Sequence, residues 1–484
     1  MSVRRAIVMA SLGRYSTRFM GLASTVIIAR LLTPSEIGTY AIASAMVVLL
    51  GEFRLLGAGN YLIRERELNI TTIRSALGLT ILVSWGLGLL IIGASSYIAS
   101  FYAIADLQWI FTILAFAFFL TPFLSIGVSL LSREMHFTSI LWIQVISTAI
   151  SIVVTLLLIF VFGLSYFSLA FGQLALTTSA LAVMYYKRPA LMVWRPGFTK
   201  LFQISAFGVQ NSLANFLQKA PNTLPDMIIG KMGTTTQVGI FSRGFGFIDF
   251  VSQTLLMGIK PVALPYLSDV SRSGGDANQA YIKASVLLGG IIWPVLAVAS
   301  VVSLPAIRLF FGAQWDESAP FATLLAYWTM LRAVHWLSSD FLLAQGKERI
   351  LMIKEAILAV CYFISIVVAF PYGMRFVAMS FVVVGAIDLL LTSAFLSWIL
   401  GLSMKKFSKS WLTTIFLTGI SWISAYALYN WGDSMEIGAG DTMGAFILVA
   451  TLSPPIWLAS VILLKHPLRS EIIQSFKWIL SKVK

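Results

Sequence analysis

The sequence predicts an all-α integral membrane protein with about fourteen transmembrane helices, arranged as two pseudo-symmetric six-helix lobes plus two C-terminal helices. Three observations carry that reading. Hydrophobic residues fill 58% of the 484 positions and charged residues only 11%, and the mean hydropathy of +0.88 lies far outside the range in which a water-soluble core stays covered by polar surface. Apolar runs of about 20 residues, the length a helix needs to cross a bilayer, recur along the whole chain. Basic residues gather in alternate connections, as the positive-inside rule requires.

Taken in order, the predicted spans run 6–31, 37–62, 74–97, 107–131, 138–162, 164–186, 202–228, 236–262, 282–306, 319–344, 350–370, 375–401, 410–430 and 443–464. Span 1 follows "MSVRR", yet Arg14 and Arg18 interrupt its apolar region and no small-residue cleavage pattern closes it. It therefore reads as a helix and not as a signal peptide. Span 2 ends on "GAGN", Gly57 to Asn60; the third glycine of a dinucleotide loop is missing, so the motif marks close helix packing or a sharp helix end. "WDESAP" introduces span 10, with Asp316 or Ser318 positioned to cap the helix and Trp315 to anchor at the outer interface.

The net charge of +14 is explained by topology. With the N-terminus inside, outer loops hold only Lys231, Arg308 and Arg375 of the 34 Lys and Arg residues. Those within spans apart, the others fall on the inner side, among them Lys347, Arg349 and Lys354 before or at the start of span 11. Both termini are then cytoplasmic, the basic excess faces anionic inner-leaflet lipid, and no nucleic-acid partner is implied. Cys361 is the only cysteine, which excludes an internal disulfide and a thiolate metal cluster. His136, His335 and His466 share no ligand spacing, so no metal and no cofactor is expected.

A weak internal repeat divides the chain. "TPSEIGTYAIASA" parallels "TTTQVGIFSRGFG" and aligns Gly38 with Gly239; Asp106 aligns with Asp316 ahead of spans 4 and 10; Glu134 aligns with Glu348 after them. Six spans per unit is an even number, so the two halves share an orientation and are related by an axis along the membrane normal. The expected organisation is an N-terminal lobe over 1–187 (spans 1–6), a cytoplasmic linker over 188–201, a C-terminal lobe over 202–403 (spans 7–12), spans 13 and 14 within 404–465, and a cytoplasmic amphipathic tail over 466–484. In that tail Leu468, Ile472, Phe476, Ile479 and Val483 form one apolar stripe suited to the inner leaflet.

Ionic residues within spans cost at least about 2.5–3.5 kcal/mol each at the centre of a lipid-facing helix, so each must face a partner, a cavity or water. Arg14 and Arg18 share one face of span 1, and Arg54 lies at similar depth on span 2. The remaining candidates for a cavity wall or for ion coupling are Glu52, Lys219, Asp226, Arg243, Asp249, Arg332, Asp340 and Asp388. Lys260 and Arg30 lie near span ends and can snorkel. Internal pairing is the bland reading, and it fits Lys219 and Asp226, two turns apart on one face. Span 1 resists it, because it holds two Arg and no acid, and Glu52 alone cannot neutralise Arg14, Arg18 and Arg54. Arg is also the side chain that grips phosphate through a planar fork of donors. For Arg54 the functional and structural readings stand level. Coupling to protons or sodium is left open, because an Asp in a dry pocket loads a proton whereas one beside Arg stays ionised.

The segments "ARLLTPSEIGTYAIA", "FRLLGAGNYLIRE", "SLLSREMHF", "VWRPGF" and "LFFGAQWDESAPFATLLAYWTMLRAV" resemble the Wzx-type lipopolysaccharide and exopolysaccharide flippases of bacteria. These form the polysaccharide-transporter branch of the multidrug/oligosaccharidyl-lipid/polysaccharide (MOP) superfamily, and the resemblance extends from span 1 to about span 12. It implies a two-lobed, MATE-like fold in the bacterial cytoplasmic (inner) membrane. It also implies alternating access that carries a polyprenyl-diphosphate-linked oligosaccharide repeat unit from the inner to the outer leaflet for surface or extracellular polysaccharide synthesis. The implied partners are that substrate, membrane lipids, and a polysaccharide polymerase and export machinery. The family's cavity is typically cationic, and Arg14, Arg18 and Arg54 are the matching positions for binding the diphosphate. No acid is identified by the resemblance as an ion site.

Two transporters and one enzyme class compete with this reading. A MATE-like multidrug exporter shares the fold but favours an acidic cavity for cationic drugs, whereas cations predominate here. A lipid-II-type flippase of cell-wall precursor also carries a diphosphate. A membrane polymerase or ligase calls for a sizeable outer loop bearing catalytic groups, and the outer connections are too short; no catalytic residue is expected.

Overall fold

Charge and chain punctuation decide where these helices begin and break. The computed structural model describes residues 3–65, 67–257, 260–434 and 443–474. Two compact units compose it, Met1–Ser242 and Arg243–Lys484. The first holds α1 (Val3–Leu31), α2 (Pro34–Gly51), α3 (Ala58–Arg64), α4 (Ile70–Tyr102), α5 (Leu107–Arg133), α6 (Phe137–Phe160), α7 (Phe167–Lys187), α8 (Leu201–Met232) and the opening turns of α9 (Thr235–Leu256). The second holds the rest of α9, then α10 (Lys260–Arg272), α11 (Ala277–Val301), α12 (Ser303–Phe311), α13 (Ser318–Ala333), α14 (Ser338–Ala344), α15 (Glu348–Ala369), α16 (Met374–Leu400), α17 (Met404–Ser434) and α18 (Met443–Leu463).

Every predicted span has a helical counterpart, and among the described residues ten helices are apolar and long enough to cross a membrane by length and composition. Helices α1, α8 and α9 fall outside that set because ionic and amide residues lower their hydropathy, and α13 because it is 16 residues long. The structure therefore singles out the same helices that carry Arg14, Arg18, Lys219, Asp226, Arg243, Asp249 and Arg332.

Four predicted spans are not continuous. Span 2 becomes α2 and α3, joined by a turn over 52–57 in which Leu56 (φ 36°) and Gly57 (φ 63°) are left-handed. The break packs tightly, because a Cβ on Gly57 would lie 2.8 Å from Gly208 Cα of α8. "GAGN" thus serves both expected purposes, a sharp helix end and a close backbone approach. Span 10 becomes α13 and α14, with a turn over 334–337 whose Val334 carbonyl accepts from Ser285 Oγ at 2.6 Å. Spans 8 and 9 divide likewise, into α9 and α10 and into α11 and α12.

Local signals begin the helices. Thr33 and Glu36 form a reciprocal capping box at α2, with Pro34 at its first position, and Asn69 caps α4 through Thr72 N at 2.8 Å. In the first unit α4 packs on α5, α6 on α7 and α1 on α6, with Leu62, Leu77, Ile126 and Leu130 at the centre of one apolar cluster. The basic stretch after α7 returns to α4, where Gly197 N donates to Arg74 O at 2.8 Å. In the second unit α11 packs on α17 and α13, and α16 on α13 and α15.

Of the tail stripe, Leu468 and Ile472 pack with Leu417 and Val461, on the protein's own helices. Phe476, Ile479 and Val483 lie outside the described residues.

Candidate functional site

In the N-terminal unit the cations are positioned by different elements. Arg14 and Arg18 sit a turn apart on α1, whose Gly13 faces Leu141 and Gln144 of α6. Arg54 stands in the irregular turn after α2, where backbone bends are tolerated at membrane depth only when they are buried in protein or line a water-filled cavity. Its guanidinium lies 5.6 Å from the centroid of the Phe118 ring of α5, Glu52 supplies a favourable charge, and its Nε is buried with no hydrogen-bond partner among the described residues.

The expected Lys219–Asp226 pair does not form. No ion pair joins them among the described residues: Lys219 is exposed and Asp226 partly buried. Pro221 and Pro225 lie between them in α8, and each removes a backbone donor and crowds the preceding turn, so the seven-residue spacing no longer defines one straight face.

Arg243, in the C-terminal unit, is held by aromatic faces. Its guanidinium carbon lies 4.9 Å from the centroid of Phe311 and 4.8 Å from that of Trp315, and its Nε is buried without a hydrogen-bond partner among the described residues. Trp315 is fully buried, which corrects its expected place at the membrane interface: the cation draws the indole inward. Asp316 does not cap α13 either. It takes a fork-to-fork pair from Arg308, Nε to Oδ1 at 2.8 Å and Nη2 to Oδ2 at 2.7 Å.

An ionic network joins α13, α15 and α16. Arg332 Nε lies 3.6 Å from Asp388 Oδ2, and Lys354 Nζ lies 3.0 Å from Glu355 Oε1 and 3.9 Å from Asp388 Oδ1. Thr392 Oγ1 donates to Asp388 Oδ1 at 2.9 Å. Arg332 also stacks over Trp328 at 4.9 Å, Trp328 Nε1 donates to Tyr362 OH at 2.7 Å, and Asp249 of α9 adds a favourable charge to Arg332. Asp340 lies in the first turn of α14. Close by, His335 hydrogen-bonds Tyr281 OH at 2.9 Å through Nδ1 and Ser393 Oγ at 2.8 Å through Nε2.

Sequence reasoning missed two members of this network. Lys354 was placed on the inner side and Glu355 was not singled out, yet each is only 5% exposed. The available signal was "ILMIKEAILAV", an adjacent cation and anion with apolar residues on both sides. The two units therefore differ in chemistry: cations outnumber acids among the candidates of the first, whereas acids balance Arg332 and Lys354 in the second.

This helical fold is similar to that of solved membrane transporters. A solved structure of the lipid II flippase MurJ, in an inward closed conformation, matches with a TM-score of 0.72 and 14% identity, covering 96% of this chain and 100% of that one. An inward-facing MATE family multidrug resistance transporter of the MOP superfamily matches with a TM-score of 0.56 and 15% identity, covering 83% and 97%. The chain belongs to the polysaccharide biosynthesis protein family, whose sequence profile matches residues 27–320. It is 20% identical over 380 residues to the teichuronic acid biosynthesis protein TuaB of Bacillus subtilis (strain 168), covering 77% of this chain and 78% of that protein. It is 22% identical over 324 residues to the succinoglycan biosynthesis transport protein ExoT of Rhizobium meliloti (strain 1021), covering 66% and 64%.

Proposed function

We propose that the chain is a flippase that carries a polyprenyl-diphosphate-linked oligosaccharide repeat unit from the inner to the outer leaflet by alternating access. It is a multi-pass membrane transporter and not an enzyme. One observation carries the substrate reading: a member of the polysaccharide biosynthesis family holds Arg14, Arg18 and Arg54 within its membrane segments, with Glu52 as the candidate acid beside them. A diphosphate crossing hydrocarbon needs countercharge, and guanidinium forks supply it with directed donors. The names of TuaB and ExoT support a polysaccharide cargo. The likeness to MurJ and MATE proteins concerns the fold and does not favour lipid II or a drug.

The basic inner connections support a bacterial cytoplasmic membrane with both termini inside. A polysaccharide polymerase and export machinery are the natural partners downstream, since a flipped repeat unit must be joined to others.

The test uses proteoliposomes and a fluorescent polyprenyl-diphosphate oligosaccharide, with a cationic dye as a second cargo. Lipid movement that is lost in Arg14→Gln plus Arg18→Gln is the expected result. Dye export, or lipid movement indifferent to both substitutions, overturns the mechanism.

A further inference from the structure

Between α7 and α8 the chain runs as a strap that is pinned along its length to the first unit. Leu191 and Val193 pack against the apolar cluster of Leu62, Leu77 and Leu130. Gly197 lies so close to α4 that a Cβ on Gly78 would stand 2.0 Å from its carbonyl oxygen. Ser75 Oγ and Thr199 Oγ1 hydrogen-bond at 3.1 Å, and Lys200 Nζ donates to Thr72 Oγ1 at 3.1 Å. The Trp194 ring sits against Phe123 of α5 and Tyr185 of α7, with centroids 5.2 Å and 6.2 Å away.

Folding leaves two features of the strap unused. Its rings are open: Trp194 and Phe198 are each more than half exposed, as are Tyr185, Tyr186 and Phe202 beside them. Its cations lack acids: among the described residues no carboxylate lies within ion-pair distance of Arg74, Lys187, Arg195 or Lys200. Water is a poor partner for a patch of exposed rings, whereas tryptophan and tyrosine settle at a membrane interface with the polar edge towards water. In the orientation proposed above, that interface is the inner leaflet.

We propose that the strap is a binding site for an anionic phospholipid of the inner leaflet. Arg74, Arg195 and Lys200 supply countercharge for the lipid phosphate, and Trp194 and Phe198 rest on its glycerol and upper acyl region. Arg74 joins the set because Gly197 packs on it: a Cβ on Gly197 would lie 3.0 Å from Arg74 Cβ, so the cation of α4 stands beside those of the strap. A basic residue near an anionic surface favours binding by roughly fivefold. Here the backbone of the strap fixes several such residues next to two rings, which makes a saturable site out of a diffuse attraction. Arg74 and Arg195 are exposed and therefore screened by salt, which suits an abundant lipid and not a scarce carrier lipid. The inference concerns the flank of the first unit and holds whichever cargo is carried.

Native mass spectrometry of the detergent-purified protein tests it, with phosphatidylglycerol or phosphatidylcholine added in equal amounts. Wild type should retain phosphatidylglycerol at least fivefold better. Arg74→Gln plus Arg195→Gln should lower that retention by about tenfold or more, at roughly fivefold per cation, with its melting temperature in phosphatidylcholine unchanged. Lys405→Gln plus Lys406→Gln, the same charge change at the start of α17, should leave retention as it is. In liposomes, dibrominated phosphatidylglycerol should quench the protein's fluorescence more than dibrominated phosphatidylcholine does, and Trp194→Phe should abolish the excess. Equal retention of the two lipids, equal losses in the two double variants, or excess quenching that survives Trp194→Phe overturns the proposal. So does a polyprenyl diphosphate that displaces phosphatidylglycerol at trace amounts, which would assign the strap to the cargo. None of these readouts involves transport, so their failure is distinct from failure of the flippase reading.

Discussion

Gly38 and Gly239, the two glycines that the internal repeat aligns, meet backbone to backbone inside the N-terminal unit. A Cβ on Gly38 would overlap the Thr235 carbonyl oxygen and lie 2.9 Å from Gly239 N, and a Cβ on Gly239 would lie 3.2 Å from Gly38 N. Ser35 and Thr235 hydrogen-bond beside them at 2.6 Å. Small residues permit this approach in a membrane, where dispersion and close packing replace the hydrophobic effect between helices. Either glycine replaced by Ala should cost about 1–3 kcal/mol, read as a lower melting temperature. Gly21 and Gly246 have open space where a Cβ would go, and their Ala variants serve as controls.

If Arg14 and Arg18 grip phosphate through paired donors, charge alone will not replace them. The double Gln variant should lose flipping by roughly tenfold or more, since hydrogen bonds to charged groups contribute about 1.5–3 kcal/mol. The double Lys variant should recover only part of it, because an ammonium has no planar fork. The two variants and wild type are compared by initial rate over a range of lipid concentration. Full recovery with Lys would show that countercharge suffices.

Asp388 compensates two cations at once. Asp388→Asn should leave Arg332 and Lys354 short of negative charge and destabilise the second unit by about 3–5 kcal/mol. Adding Lys354→Met should return part of that loss, so the double variant should melt higher than the sum of the single effects. Thermal unfolding of the four proteins of the cycle measures the coupling.

His466 gives stability a pH dependence. It follows α18, is 1% exposed, accepts from Leu468 N–H through Nδ1 at 3.2 Å and hydrogen-bonds Thr414 through Nε2 at 3.0 Å. Burial pushes its pKa from 6.5 down to about 4. The unfolded chain therefore binds the proton more readily, and the stability that neutral His466 confers is complete above pH 6.5 and falls as the pH drops towards 4. The loss amounts to about 3 kcal/mol at 1.36 kcal/mol per unit. Melting curves of wild type and His466→Asn between pH 7.5 and pH 4, taken in one detergent, should converge as the pH falls.

Trp315 belongs to the core of the second unit. Trp315→Ala should cost about 3–5 kcal/mol, while Trp315→Phe should retain most of the contact with Arg243, as an aromatic face remains. An anchor at the membrane interface would tolerate both changes, so melting temperatures separate the two roles.

By itself the sequence determined the membrane class, the order of the apolar segments, and the residues that a bilayer makes costly. These follow from local quantities: the length of apolar runs, the alternation of Lys and Arg, and the capping chemistry of segments such as "TPSE". Even the contact between Gly38 and Gly239 left a trace as an aligned pair. The partners of the charges were decided by tertiary structure. Spacing suggested that Lys219 pairs with Asp226, but two prolines change the face of α8. The alternation of basic residues assigned Lys354 a side of the membrane but no partner, and the packing of α15 on α16 buries it against Glu355 and Asp388. Trp315 looked like an interface residue until Arg243 was found beneath its ring. In each case a long side chain, with several rotatable bonds, reaches whatever opposite charge or aromatic face another helix presents, and the sequence records the reach without the neighbour.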